Sequence, residues 1–431
     1  MKCCIKNGRV LDPSQNLDGI RDILIEDGRI VKVAEKIEDA GAEVIDAAGK
    51  VVCPGFIDMH VHFRDPGFEY KEDIFTGTQA AAAGGFTSVC CMPNTDPIID
   101  DVPVVSYILE KAKESGLTKV YPIGAISKGE KGEEMAEIGE LSKAGCVAFS
   151  DDGKPVYDAG LMRNAMDYAK MFHKPLLAHS EESGLSKGGQ MHEGYYATAL
   201  GLKGVPSEAE EIMVARDVIL SRLTGAHLHV CHISSVGTVE VIREAKKRGI
   251  SVTCEVTPHH LTLTDSMVKS YDTNYKVNPP LGSEEDREAL RQGILDGTID
   301  CIATDHAPHH AESKVCEFAK AAFGISGLET AVPVLLDSLV HTGIIPLSRI
   351  VEMLTIAPAR ILGLDAGTLC EGAAADITIL DLDAVKKVST ADFYSKGKNS
   401  PLDGQAFHGW PWMTIVDGKV IAREGRITKE R

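Results

Sequence analysis

Aromatic residues make up only 5% of this 431-residue chain, no Cys-x-x-Cys occurs in it, and acidic residues outnumber basic ones. Each shortage excludes something. A formal charge of −18, from 45 Lys and Arg against 63 Asp and Glu, argues against nucleic acid or an anionic membrane as partner, because both demand basic surface. An anionic small molecule must then be captured locally, by a few cations. Without Cys-x-x-Cys, thiolate zinc sites and redox motifs lack support. The eleven cysteines include the adjacent pairs Cys3–Cys4 and Cys90–Cys91, while Cys90, Cys146, Cys231, Cys254 and Cys301 fall in apolar runs, so reduced core thiols are expected. No apolar run approaches the ~18 residues of a membrane span, and Met1–Val10 lacks the pattern of a signal peptide; the expected location is the cytoplasm.

What is present reads as two textures. Residues 1–53 contain short strand-like runs around Asn7-Gly8 and Asp27-Gly28, both hairpin signals, and residues 369–431 repeat the pattern around Asp417-Gly418. The two chain ends are expected to build one small β-sandwich domain. Between them, residues 54–368 alternate apolar strand, polar loop and amphipathic helix. The strand-like runs are 55–60, 87–92, 119–124, 146–150, 175–179, 226–232, 251–256 and 300–304, which suits a (β/α)8 TIM-type barrel. Ser207-Glu208-Ala209-Glu210 reads as a capping box opening a helix that Gly225 stops, and 69–83 reads as another helix.

Barrel enzymes place their chemistry where strands end. The polar residues there are His60 and His62, Asn94, Asp151-Asp152, His179, His232 and Asp305. Any one of them has an ordinary reading: a structural imidazole, a turn, a helix cap. Together they suit a binuclear metal site, which needs terminal imidazoles and a bridging carboxylate. His60 and His62, at i and i+2 on a strand, project to one side. Parity favours Asp152 as the bridge, because it shares a side with the small residues Ser150 and Ala148; Asp151, beside Phe149 and Val147, is the alternative. The remaining histidines, including His173, His192, His227, His341 and His408, lie off the strand ends and read as structural.

Asp58-Met59-His60-Val61-His62-Phe63-Arg64-Asp65-Pro66-Gly67, and Ala303-Thr304-Asp305-His306-Ala307-Pro308-His309 followed by Lys314, resemble the two signatures of the dihydroorotases, class I long bacterial form, in the amidohydrolase superfamily. Met92-Pro93-Asn94, Leu177-Ala178-His179-Ser180-Glu181, His232-Ile233-Ser234 and Val277-Asn278-Pro279-Pro280 extend the likeness almost end to end. The resemblance implies interconversion of L-dihydroorotate and N-carbamoyl-L-aspartate in pyrimidine biosynthesis, by a hydroxide between two divalent ions. Zinc is the first choice of metal, with cobalt or manganese as alternatives. It implies His60, His62 and Asp305 on one ion, His179 and His232 on the other, Asp152 between them, and Asp305 as general base and acid. Arg64, Asn94 and His309 would hold the substrate carboxylate; Asn278 and the backbone at Phe323-Gly324 would meet the ring amides. Many superfamily members bridge with a carboxylated lysine instead, for which Lys154 is the nearby residue. The loop 306–324 is expected to close over the site. A hydantoinase or allantoinase is the nearest rival function, and a non-catalytic scaffold the more distant one. Aspartate carbamoyltransferase is a possible partner by resemblance, as is a second copy in a homodimer.

Overall fold

The structure, a computed structural model, describes residues 2–428. The N-terminal strands are β1 (Lys2–Asp12), β2 (Leu17–Glu26), β3 (Arg29–Ala34), β4 (Glu43–Asp46) and β5 (Val51–Pro54). Asp27-Gly28 forms the expected two-residue turn, with both φ angles positive. Asn7-Gly8 does not. There β1 runs straight through, and the register against β2 shifts between Ile5 and Gly8, so the left-handed Asn7 makes a bulge rather than a hairpin. A Cβ on Gly8 would lie 2.6 Å from Val52 Cγ2, so the residue is needed for close packing.

At Gly55 the chain passes from sheet to barrel, where a Cβ would stand 2.1 Å from Thr87 Oγ1. The barrel strands are β6 (Phe56–Val61), β7 (Phe86–Cys91), β8 (Lys119–Pro122) and β9 (Leu176–Ala178). After a small two-stranded ladder of β10 (Met191–His192) and β11 (Gly204–Val205) come β12 (Leu228–Val230), β13 (Val252–Val256) and β14 (Cys301–Ile302). β6-β7-β8 and β9-β12-β13-β14 are parallel arcs. Single bridges close the ring: Gly124 to Phe149, Phe149 to Leu176, and Val61 to His306. The run 146–150 is thus a one-residue station, bridged on both sides through Phe149, rather than a strand.

Alternation on these strands sorts two cores. Leu228, Val230, Val252, Cys254 and Val256 face outward into the layer beneath the helices, while Met59, Cys90, Leu177, Cys231, Cys301 and Ala303 fill the barrel. Burying each large aliphatic side chain contributes about 1.5–3 kcal/mol. All eleven cysteines are free and nine are buried.

The helix expected over 69–83 begins later, at Ile74, because Asp73 caps it in a box with Thr76. The box expected at Ser207 is not formed. Ser207 is itself helical and its side chain accepts no capping bond; Glu210 instead accepts from the Ser234 N–H at 3.0 Å and its hydroxyl at 2.5 Å. Gly225 ends that helix in the left-handed region, as expected.

β15 (Ile377–Lys387), β16 (Ala406–Val416), β17 (Lys419–Arg423) and β18 (Arg426–Ile427) complete the β unit. β15 pairs antiparallel with β5, so both chain ends share one nine-stranded sheet. It wraps a core of Ile5, Val10, Ile23, Ile25, Val52, Ile377, Ile379 and Ile415 as a sandwich.

Candidate metal centre

The six predicted ligands, carried by strand ends spread around the barrel, meet at its C-terminal mouth. Asp152 lies at the middle. Its Oδ1 is 3.3 Å from His60 Nε2, 3.7 Å from His232 Nε2 and 3.8 Å from His179 Nδ1, and its Oδ2 is 3.3 Å from His62 Nε2. Asp305 Oδ1 lies 3.2 Å from His62 Nε2 and 3.6 Å from His60 Nε2. All six residues are buried.

Backbone and neighbours fix these positions. Asp305 and His232 adopt positive φ angles, 48° and 33°, unusual for residues with a Cβ and typical of strained functional sites. Asp58 accepts from Thr304 N, Thr304 Oγ1 and His60 N at 3.1, 2.6 and 3.1 Å, stitching the end of β6 to the chain just before Asp305. Burial outweighs those bonds and pushes the Asp58 carboxyl up to about 7. Asp151 turns away and accepts from Ile126 N at 2.8 Å, Ser127 N at 3.0 Å and the Ser127 hydroxyl. Lys154 points outward to Glu130 at 3.7 Å with its side chain 60% exposed.

The donor set suits divalent cations. His60 Nε2 and Asp152 Oδ1 are buried with no hydrogen-bond partner, and His179 Nδ1 faces His232 Nε2 at 3.1 Å. Ligand atoms of His60, His62 and Asp305, and of His60, Asp152 and His232, each fall within 4.8 Å of one another. Imidazole nitrogen with carboxylate oxygen is the donor chemistry of zinc and similar ions.

Three carboxylates that the strand-end search missed support this cluster. Glu255 Oε1 meets His60 Nδ1 at 2.6 Å, and Glu181 Oε2 meets His179 Nε2 at 3.2 Å and Asn278 Nδ2 at 2.7 Å. Asp58 is the third. An acid inside the apolar run Val252–Val256 was the available signal for Glu255. Burial opposes ionisation of Glu255, yet His60 and His229 outweigh it and hold its carboxyl far below the usual range.

Of the expected substrate contacts, Asn94 touches the cluster directly and Asn278 reaches it through Glu181, whereas the backbone at Phe323-Gly324 is already held by internal partners. Arg64, at φ 60°, keeps Nε buried without a partner. It makes no pair with Asp65, whose carboxylate takes Lys111 at 2.6 Å and Tyr107 at 3.0 Å. Asn94 Oδ1 meets His62 Nδ1 at 3.0 Å and its amide reaches Asp152 Oδ2 at 3.4 Å, so Asn94 orients ligands as well as facing the site. His309 Nε2–H donates to Phe323 O at 2.8 Å, leaving Nδ1 an unpartnered acceptor in the neutral ring, so in this arrangement His309 offers the substrate carboxylate no donor, contrary to expectation. Burial, with Arg64 nearby, holds that imidazole down at about 3. The Gly324 N–H is taken by Lys276 O at 2.9 Å and its carbonyl by Asn399 Nδ2 at 3.0 Å. The loop 306–324 is anchored: Lys314 is buried, with its ammonium on Thr273 O at 3.0 Å and Lys276 O at 3.3 Å.

A family model described as dihydro-orotase-like matches residues 49–238, and one described as amidohydrolase family matches residues 342–422. A dihydroorotase of Acetivibrio thermocellus is 54% identical over 97% of this chain and 99% of its own length; one of Pelotomaculum thermopropionicum is 54% identical over 98% and 99%. The chain belongs to the dihydroorotase family. The wider fold is shared with other cyclic amidohydrolases. L-hydantoinase from Arthrobacter aurescens superposes with a TM-score of 0.89 at 30% identity, covering 99% of this chain and 97% of that one. D-hydantoinase from Thermus sp. gives 0.84 at 26% identity, with 99% and 97% covered. Dihydroorotase membership makes the chain a metal-dependent cyclic amidohydrolase with a TIM-type barrel. No helix among the described residues is long and apolar enough to cross a membrane.

Proposed function

We propose that this chain interconverts L-dihydroorotate and N-carbamoyl-L-aspartate, using two divalent ions, zinc by preference. The observation that carries the reading is a partnerless, buried Arg64 Nε at the mouth that gathers four imidazoles around Asp152. One ion would be held by His60, His62 and Asp305, the other by His179 and His232, with Asp152 shared. When bound, such ions polarise an amide carbonyl and make water acidic enough to attack at neutral pH.

The chain's own residues supply the rest. Arg64 takes the substrate carboxylate as a bidentate, charge-assisted pair. Asn278, held by Glu181, offers its amide to the ring. Asp305 is kept ionised: burial opposes this, but the His62 hydrogen bond and the surrounding imidazoles hold its carboxyl at about 2, so its oxygens carry no proton before the reaction. It removes the proton from the attacking water and returns it to the departing amide nitrogen; ring closure runs these steps backwards.

A hydantoinase is the second reading, favoured by the close superposition on L-hydantoinase. Against it stands an aspartate, Asp152, among the imidazoles, with Lys154 turned outward. Steady-state assays on dihydroorotate, hydantoin and allantoin, with chelator-stripped and zinc-restored protein, test both. Highest kcat/KM on dihydroorotate, lost on stripping and regained with zinc, is expected; hydantoin or allantoin turned over more efficiently sinks the reading. Self-association as a homodimer and pairing with aspartate carbamoyltransferase belong to the proposal, and sedimentation of the chain alone and mixed with that enzyme tests them.

A further inference from the structure

Barrel interiors are ordinarily filled with layers of branched apolar side chains. Here the inward positions of two adjacent strands carry a polar column instead: His227 and His229 around β12, Thr253 and Glu255 on β13. Their outward neighbours Leu228, Val230, Val252 and Cys254 belong to the outer core, which fixes the column's direction. His229 and Glu255 are fully buried. A carboxylate and an imidazole cost more to bury there than hydrocarbon would, so the column calls for an explanation beyond packing.

The contacts are continuous. His227 Nε2 meets Thr253 Oγ1 at 2.8 Å, Thr253 Oγ1 meets His229 Nδ1 at 2.9 Å, His229 Nε2 meets Glu255 Oε2 at 3.2 Å, and Glu255 Oε1 meets His60 Nδ1 at 2.6 Å. Proton counting gives this chain one polarity. An ionised carboxylate only accepts, so His60 Nδ1 and His229 Nε2 both carry hydrogen. In the neutral ring His229 Nδ1 is then bare and accepts from the Thr253 hydroxyl, and Thr253 Oγ1 accepts in turn from His227 Nε2–H. Every donor is used once. In the neutral ring the far end of His60, Nε2, is then a lone pair beside Asp152 and Asp305, and it is one of the buried atoms with no hydrogen-bond partner.

We propose that this column sets the tautomer of His60: Glu255 is a positioning residue that turns His60 Nε2 into the metal donor, and His229, Thr253 and His227 hold Glu255 in place. The inference rests on the metal reading above. It assigns His227, which the sequence marks as merely structural, to the far end of the device, at the N-terminal mouth of the barrel. A third ion is the competing explanation, because ligand atoms of His229, Glu255 and Cys301 also lie within 4.8 Å of one another. The hydrogen bonds argue against it: both ring nitrogens of His229 and both oxygens of Glu255 already have partners.

The test uses the full-length protein loaded with Zn(II) or Co(II), and compares Glu255→Gln, Thr253→Val and Thr253→Ser with wild type. Glutamine keeps the volume of Glu255 but donates on one side. Valine keeps the volume of threonine and removes the hydroxyl three hydrogen bonds from His60, without touching a ligand. Chelator competition is expected to show roughly 10–100-fold weaker metal affinity for Glu255→Gln, in the range of lost outer-shell partners. A shifted Co(II) d–d band, and kcat reduced with little change in KM, are expected alongside. Thr253→Val is expected to lose severalfold in affinity, with Thr253→Ser restoring it. Wild-type affinity and spectrum in both Glu255→Gln and Thr253→Val overturn the column while leaving the metal reading intact, and Thr253→Val against Thr253→Ser decides alone if Glu255→Gln fails to fold. A metal stoichiometry of three overturns it in favour of an ion in the interior. A wild-type chain that binds no divalent ion removes the metal reading and the column together.

Discussion

Single residues carry the chemistry, and two neighbours show how far alternation alone can be read. Asp151 and Asp152 are adjacent acids. Side-chain parity with Ser150 and Ala148 pointed to Asp152, which lies among four imidazoles, while Asp151 ties down the backbone of Ile126 and Ser127. The pair therefore separates site from scaffold. Asp152→Asn is expected to lower kcat at least a hundredfold and to reduce bound metal; Asp151→Asn is expected to keep its metal and lose roughly 1–3 kcal/mol of stability. Metal analysis beside thermal melts reads both, and equal metal content in the two variants contradicts the assignment. Arg64 is the second such residue. Its Nε has no partner and it makes no pair with Asp65, so the loss on replacing it is expected to fall on the substrate. For Arg64→Met a KM raised roughly 10–100-fold is expected, from ~1.5–3 kcal/mol of charge-assisted bonding, and Arg64→Lys recovers only part of it. An unchanged KM in steady-state assays removes Arg64 from the carboxylate site.

At the scale of elements, local signals were legible where the local chain decides, and misleading where a partner strand decides. Asp27-Gly28 and Asp417-Gly418 both make turns, because each lies between strands that pair with each other. Asn7-Gly8 has the same chemistry, yet the whole of β1 pairs with β2, so the dipeptide is absorbed as a bulge. The fourth barrel station is apolar like the others, but only Phe149 makes ladder bridges. Glu255 was invisible to a search of strand ends because it works from inside one. The unformed box at Ser207 has a measurable consequence. Ser207→Ala is expected to cost under ~0.5 kcal/mol, whereas Ser283→Ala, in a box where Ser283 Oγ and Asp286 exchange bonds at 2.7 and 3.1 Å, is expected to cost about 1 kcal/mol. Denaturant titrations of the two variants decide it; equal losses contradict the difference in capping.

For the whole molecule, the two textures of the sequence become a barrel and a sheet that must stay in register, and a partly buried acid helps join them. Glu329 follows the last barrel loop, and its two oxygens accept from Tyr394 N and Ser395 N, each at 3.1 Å, on the segment leading back to β16. Burial pushes its carboxyl up from 4.5 to about 7, with Glu72 adding to the rise and the two N–H bonds and Lys398 opposing it. A carboxyl whose folded value lies above its unfolded one binds more protons in the native state. Its contribution is therefore fully present below pH 4.5 and is lost as pH climbs through 7. Glu329→Gln mimics the protonated acid and cannot ionise. The variant should match wild type near pH 5 and become the more stable protein by pH 8, by roughly 1–3 kcal/mol. Melting temperatures of both proteins across pH 5–8, at fixed metal and salt, measure that difference. A gap that stays constant or shrinks as pH rises means that Glu329 is ionised throughout, and that its two backbone bonds, rather than its burial, set its charge.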